Sequence, residues 1–383
     1  MSTSSIFRTP RIATAAAAMA VLLAAGCAGG GKGGPGLIPP PPTASPTPAP
    51  NAHVLVVANS AIAQSVTLAQ TYMTGRHIPA GNLVSVALDP NSNNFSIVQT
   101  AAQHDLQTKL FAPIAAAIQA AHAAGGRIDF VVMMWGTPYI ISGGGTFSGY
   151  SVDGIISQAT GAFPTTGSAF NPYYGSTAPF SSDTYHMVLV TRLDGRSVAD
   201  VNGLITNGLA CDGTHPHGEF FFDVDPTKSD GYTVFNTAMQ TAQAQLAAAG
   251  FDAQIDNTIA FVAPPTPLIG YVSWGSNDAH FSLANYHALK FVPGGIAETA
   301  VSTSASNIRT PGGGQSQIAD LISQGVTGVH GDVTEPFLNA IPDPPSVFAA
   351  YTSGRTLGES LWAGLSEIVW KEIVIGDPLC KPY

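Results

Sequence analysis

Beyond residue 52 the chain alternates short apolar runs with amphipathic stretches. Residues 53–58, HVLVVA, are apolar without interruption, as a strand buried on both faces requires, and 83–88 and 128–134 repeat the pattern. Between them, Ser60 is placed to cap a helix that ends at Gly75. Residues 96–124 read as helical, in two pieces because Pro113 interrupts a single rod, with Gly125-Gly126 as the stop. Strands are then predicted at 187–191, 220–224, 258–262, 269–272, 295–301, 325–329 and 368–375, and helices at 197–209, 232–249, 315–323 and 356–365. Ser197 with Asp200 approximates a capping box. This alternation predicts an α/β fold: a doubly wound, mostly parallel sheet covered on both faces. Residues 143–180, rich in Gly, Ser, Thr and aromatics, predict a long irregular insertion of the kind that covers sites. The folded part is read as a single domain, 53–383, with a lobe at 140–235. Trp135-Gly136-Thr137 and Trp274-Gly275-Ser276 both follow apolar strands, but no long-range repeat accompanies them, and coincidence is the favoured reading.

Composition narrows the partners. Of 383 residues 45% are hydrophobic and 10% charged, and the formal charge is -10. A chain so acidic has no electrostatic footprint for nucleic acid, which is excluded as a partner. The N-terminus adds a location. Arg8 and Arg11 precede an apolar run at 12–23, too short to span a bilayer, which closes on Ala24-Ala25-Gly26-Cys27. This resembles a bacterial lipoprotein signal, 1–27, which implies that Cys27 becomes the first residue and carries acyl chains. The expected partner is therefore the membrane, through a lipid anchor, and the expected location is the cell envelope, the outer membrane in a Gram-negative cell. Residues 28–52, Gly- and Pro-rich, read as a tether. With Cys27 lipidated, Cys211 and Cys380 remain, and an exported compartment permits them to pair; two buried free thiols are the alternative.

Five stretches carry a resemblance: TRLDG (191–195), GYVSWGSND (270–278), IAETAVSTS (296–304), ADLISQGVTGVHGDVTEP (319–336) and VIGDPLCKPY (374–383). Together they resemble a family of exported bacterial proteins, a resemblance that implies no known activity. More distantly, Thr356-Leu357-Gly358-Glu359 followed by a strand closing in Gly376-Asp377-Pro378 resembles the ending of gingipain-type cysteine peptidases, which implies a caspase-like sheet. Those peptidases place His-Gly after one strand as base and Cys after the next as nucleophile. Here the matching strands end in Trp274-Gly275 and in Ser302-Thr303-Ser304, and indole can neither take nor give the proton.

The candidate site is the crevice beyond the carboxyl ends of the strands at 269–272 and 295–301. Asp278 and Glu298, carboxylates in a charge-poor chain, stand beside Asn277, Ser302 and Ser304, and two carboxylates brought close suit acid/base work. Asp278, Glu298, Ser302 and Ser304 are the catalytic candidates; Trp274, Asn277, Arg192 and Asp194 are the binding candidates. Arg192 with Asp194 also reads as a structural ion pair. No metal site is assigned: Cys211, His215 and His217 lack a fourth ligand, and Lys228 stands where a calcium loop through Asp223, Asp225 and Asp230 needs glycine. No cofactor is named. Two functions stay open: a binding or surface-assembly protein without peptidase chemistry, and a hydrolase using a serine or a carboxylate-bound metal.

Overall fold

The computed structural model describes residues 50–90, 96–98, 105–142, 145–312 and 314–383. The signal and most of the tether lie outside the described residues. In chain order the strands are β1 (Val54–Asn59), β2 (Leu83–Val86), β3 (Ser96–Val98), β4 (Phe130–Met134), β5 (Ile140–Ser142), β6 (Ala169–Phe170), β7 (Leu189–Leu193), β8 (Glu219–Asp223), β9 (Ala253–Asp256), β10 (Leu268–Ser273), β11 (Phe291–Thr299), β12 (Gly328–Asp332), β13 (Glu367–Ile368) and β14 (Glu372–Gly376). The helices are α1 (Ala63–Gly75), α2 (Ala112–Ala123), α3 (Val152–Ile156), α4 (Ser182–Tyr185), α5 (Val198–Ala210), α6 (Thr233–Ala248), α7 (Leu283–Tyr286), α8 (Ile318–Ser323), α9 (Pro344–Thr352) and α10 (Leu357–Gly364).

Ten strands form one sheet in the order β2-β1-β4-β7-β14-β12-β11-β10-β8-β9. The first five run parallel to one another and so do the last five; the halves meet antiparallel where β14 pairs with β12, Gly328 opposite Gly376 and Asp332 opposite Glu372. β1, β4, β7, β8, β10, β12 and β14 are buried along their whole length, and β1, β4 and β10 accordingly read as near-continuous apolar runs, whereas β12, GVHGD, buries His330 and Asp332. The expected doubly wound, mostly parallel α/β sheet is what the chain forms.

The two halves repeat one connectivity. In the first, β1 is flanked by β2, then β4 and β7 follow on its other side; in the second, β8 is flanked by β9, then β10 and β11 follow. Trp135-Gly136 thus follows the third strand of one half and Trp274-Gly275 the third strand of the other. Coincidence is the wrong reading: the two turns occupy equivalent places. Each needs its glycine, with φ +95° at Gly136 and +50° at Gly275, and a Cβ on Gly275 would lie 2.7 Å from Val301 Cγ2.

Several local expectations are corrected. The strand expected at 258–262 is β9, five residues earlier: AQID lies at the sheet edge with only Ala253 buried, while Asp256 accepts the Thr258 N–H and closes a turn. Ser60 caps nothing; its hydroxyl donates to the Val86 carbonyl, and α1 starts at Ala63. Residues 96–98 are a strand, and Pro113 sits just after a wide π-type turn, Leu106–Phe111, rather than at a break. The final run is split at Val369, whose φ is +62°, so that β13 pairs with β6 and only β14 enters the large sheet.

The C-terminal tail is pinned twice. Cys380 is disulfide-bonded to Cys211, with Cα atoms 6.6 Å apart. Buried Asp377 accepts from the Tyr72 hydroxyl at 2.7 Å and from Arg76, which also pairs with Asp212.

Candidate functional site

Beyond the carboxyl ends of β10, β11 and β12 lies a cleft of about 730 Å³. Its walls come from Lys228, Gly231 and Tyr232 ahead of α6, Trp274 and Asn277 after β10, Ala300, Ser302 and Gln315 after β11, and residues 335–338 with Ile341 after β12. Parallel strands deliver these loops to one edge, the place where open α/β sheets bind ligands.

Hydrogen bonds fix the floor. The Trp274 indole N–H donates to Asn236 on α6 at 2.6 Å, leaving the ring edge-on to Phe235 and Tyr232. Asn277 donates from its side-chain amide to the Ala300 carbonyl at 2.7 Å, joining the loops of adjacent strands. Ser276 and Ser316 each donate a backbone N–H to the other's hydroxyl, at 3.0 and 2.9 Å. Lys228 lies 4.9 Å from the Trp274 ring centroid, pairs with Asp225 at 3.1 Å and donates to the Asn277 carbonyl. Burial works against ionisation of Asp225, but donation from the Thr227 hydroxyl and N–H, the Ala279 N–H and Lys228 holds it down at about 2. At the rim Phe337 and Tyr232 are 72% and 56% exposed, far above what aromatic side chains show when they only fill a core.

Of the candidates, Trp274, Asn277 and Ser302 line this cleft and the others do not. Asp278 is buried in the turn below, accepting the His280 N–H at 2.6 Å. Glu298 lies inside β11, which runs to Thr299, so its carboxylate points to a sheet face, 3.1 Å from His330 Nδ1. Ser304 is buried, its hydroxyl 2.7 Å from where a Cβ on Gly331 would stand. Asp278, Glu298, Ser302 and Ser304 therefore share no pocket, because Glu298 lies within the paired part of β11 and its side chain turns to a buried sheet face. The 143–180 insertion contributes no lining residue either; it packs on the first half, where Asp153 meets Arg192. Tyr232, Phe337, Lys228, Glu335 and Gln315 were not singled out from sequence, although an exposed Phe directly after a buried strand was the available signal.

Arg192 and Asp194 belong to the first half. Fully buried Arg192 donates to Asp153 at 2.6 and 2.9 Å, to Asp194 at 3.3 Å and to the carbonyls of Thr137 and Pro138. Arg309, from the loop that leaves the cleft after β11, donates to both oxygens of Asp194 at 2.9 and 2.7 Å and lies 5.0 Å from the Trp135 ring centroid. The place equivalent to the cleft is thus filled from within. Among the described residues, the one group of three potential metal ligands within 4.8 Å is Cys211, Asp212 and Cys380, and its two sulfurs are joined to each other.

No protein-family model and no curated protein sequence matches the chain. Among solved structures it is similar to one titled a protease, at 10% identity and TM-score 0.49 over 88% of this chain and 79% of that one. It is also similar to the Arg-specific cysteine proteinase gingipain R, at 11% identity and TM-score 0.45 over 88% and 80%. A third similarity, to separase in the Saccharomyces cerevisiae separase–securin complex, covers 49% of this chain and 14% of that one at TM-score 0.31. Likenesses this loose stop at the fold, and the chemistry has to come from this chain's own residues.

Proposed function

We propose that this is an exported, lipid-anchored envelope protein that holds an extended polypeptide segment in the cleft of its second half without cutting it. One observation carries the reading: aromatic, amide and hydroxyl groups line the cleft, Lys228 and Glu335 bring its charges, and neither an imidazole nor a thiol is among the lining residues. Acyl transfer needs a nucleophile with a base within hydrogen-bond reach. Of the two lining groups that could act as a base, Lys228 is engaged with Asp225 and the Asn277 carbonyl, and neither it nor Glu335 is hydrogen-bonded to Ser302; the Trp274 indole is a donor only, already committed to Asn236. Exposed aromatic anchors around a hydrogen-bonding floor are instead what polypeptide recognition uses. Anchoring rests on the Cys27 signal: Cys27→Ser should leave the protein unprocessed or released from membranes.

A serine-directed fluorophosphonate tests the non-hydrolytic reading. Intact mass should stay unchanged after incubation with the wild type. Stoichiometric labelling abolished by Ser302→Ala would establish a hydrolase.

A further inference from the structure

Four ionisable side chains with no part in the cleft lie in a row on one face of the sheet where the halves join: Glu298 on β11, His330 and Asp332 on β12, and Glu372 on β14. All four are buried, with His330 and Asp332 wholly inaccessible. His330 Nδ1 is 3.1 Å from Glu298, but Nε2 is 3.9 Å from Asp332 and bonds to nothing, and neither Asp332 oxygen has a hydrogen-bond partner. An imidazolium beside a carboxylate closes to about 2.7–2.9 Å. At 3.9 Å His330 gives Asp332 no such bond, and a buried acid without a bonded partner favours its uncharged form. Glu372 is occupied by the N–H groups of Val369 and Trp370.

We propose that Glu298, His330 and Asp332 form a proton-operated latch that keeps the carboxyl ends of β11 and β12 in place while it is uncharged and loosens them when Asp332 gives its proton to solvent. Two connections make the cleft the part that responds. Glu298 is two residues from Ala300 on the cleft floor, and Asp332 is three from Glu335 on its wall; the Asp332 carbonyl also accepts the Ala305 N–H at 3.0 Å, tying the loop after β11 to β12. None of the groups facing Asp332 bonds to its carboxylate, although His330 and Lys371 favour its charge from a distance. His330 shares its strand, Glu298 and Glu372 flank it, and Lys371 is held by Thr334 and the Gly149 carbonyl. Asp153 on α3 stands beyond Glu372, paired with Arg192, and Glu359 on α10 is turned to the N–H groups of Thr356 and Phe180. Burial above all pushes Asp332 up to about 8, with His330 working against it and the charges of Glu298 and Glu372 adding to it. Burial likewise lowers His330. The latch thus opens on the alkaline side.

Backbone hydrogen exchange, corrected for the intrinsic effect of pH, reads this without a ligand, so its outcome is separate from that of the binding proposal. From pH 7 to 9, exchange in 299–305 and 333–341 should rise about tenfold, as the ionised fraction of an acid titrating at about 8 goes from roughly one tenth to roughly nine tenths. Asp332→Asn, nearly isosteric, should abolish the rise, whereas Glu372→Gln should leave it in place. If Asp332→Asn does not fold, infrared difference spectra of Asp223→Asn/Glu372→Gln, which removes the two other buried acids that titrate near 7, decide: a protonated buried carboxyl band should still vanish over the same range. A rise that persists in Asp332→Asn, a carboxylate already ionised at pH 6, or a stoichiometric metal lost with Asp332→Asn would overturn the latch.

Discussion

The two halves of the sheet end their third strands alike and use the result differently. In each, a Trp-Gly turn carries a cation over the indole and an aspartate holds that cation: Arg309 with Asp194 over Trp135, Lys228 with Asp225 over Trp274. In the first half the cation arrives from the other half, on the loop that leaves the cleft, and meets a wholly buried Arg192–Asp153 pair. In the second half it comes from the adjoining loop and the cleft stays open. One connectivity therefore yields one closed, structural end and one accessible end, and what separates them is where the cation comes from.

The largest effect that tests this contrast is expected at Arg192. Arg192→Met strands Asp153 in the interior, while Asp194 keeps Arg309, and removing one partner of a buried pair costs about 3–5 kcal/mol. Urea denaturation should show a loss of that size or failure to fold. A loss under about 1 kcal/mol would mean that the first half does not depend on its ion pairs.

Opening the tail comes next. Cys380→Ser removes the disulfide to Cys211 and should lower stability by about 2–4 kcal/mol in oxidising buffer, with little difference from wild type once both are reduced.

Arg309→Met should cost less, about 1–3 kcal/mol for charge-assisted hydrogen bonds lost. It should also change the fluorescence of Trp135 and loosen residues 302–315. If ligand capture by the cleft were unaffected while that loop became mobile, the loop would not shape the cleft.

A pH comparison separates the halves further. Burial, with help from Asp278, Asp256 and Asp225, pushes Asp223 at the end of β8 up to about 7, although the Val262 N–H opposes this. Its folded pKa exceeds the unfolded one, so the folded state favours the proton. That contribution is complete below about pH 4 and is lost as pH rises through about 7. Asp223→Asn should melt like the wild type at pH 4 and above it at pH 8; identical melting at pH 8 would contradict the assignment. Lys228→Met, at the partly exposed cation of the open end, should change stability least, by less than about 1 kcal/mol.

The difference between the halves was only partly written in the sequence. Fully buried strands such as β1, β4 and β10 and the capping box at Ser197 were legible, because the residues that specify them are neighbours in the chain. The antiparallel junction was not, since residues 333–371 separate β12 from β14 and nothing local sets their relative direction. Glu298 was expected in the crevice although it fell inside the strand read at 295–301. Its partner His330 is 32 residues away, and nothing local shows which sheet face an acid inside a strand turns to. The cleft's exposed aromatics, Tyr232 and Phe337, come from two loops that only the sheet order brings together.

The most direct test of an open end that binds and does not cut is to incubate the purified protein with a peptide library and identify bound and free peptides by mass spectrometry. The account predicts intact peptides retained by the wild type and lost from Tyr232→Ala/Phe337→Ala, with no new termini. New peptide termini that disappear with Ser302→Ala would contradict it.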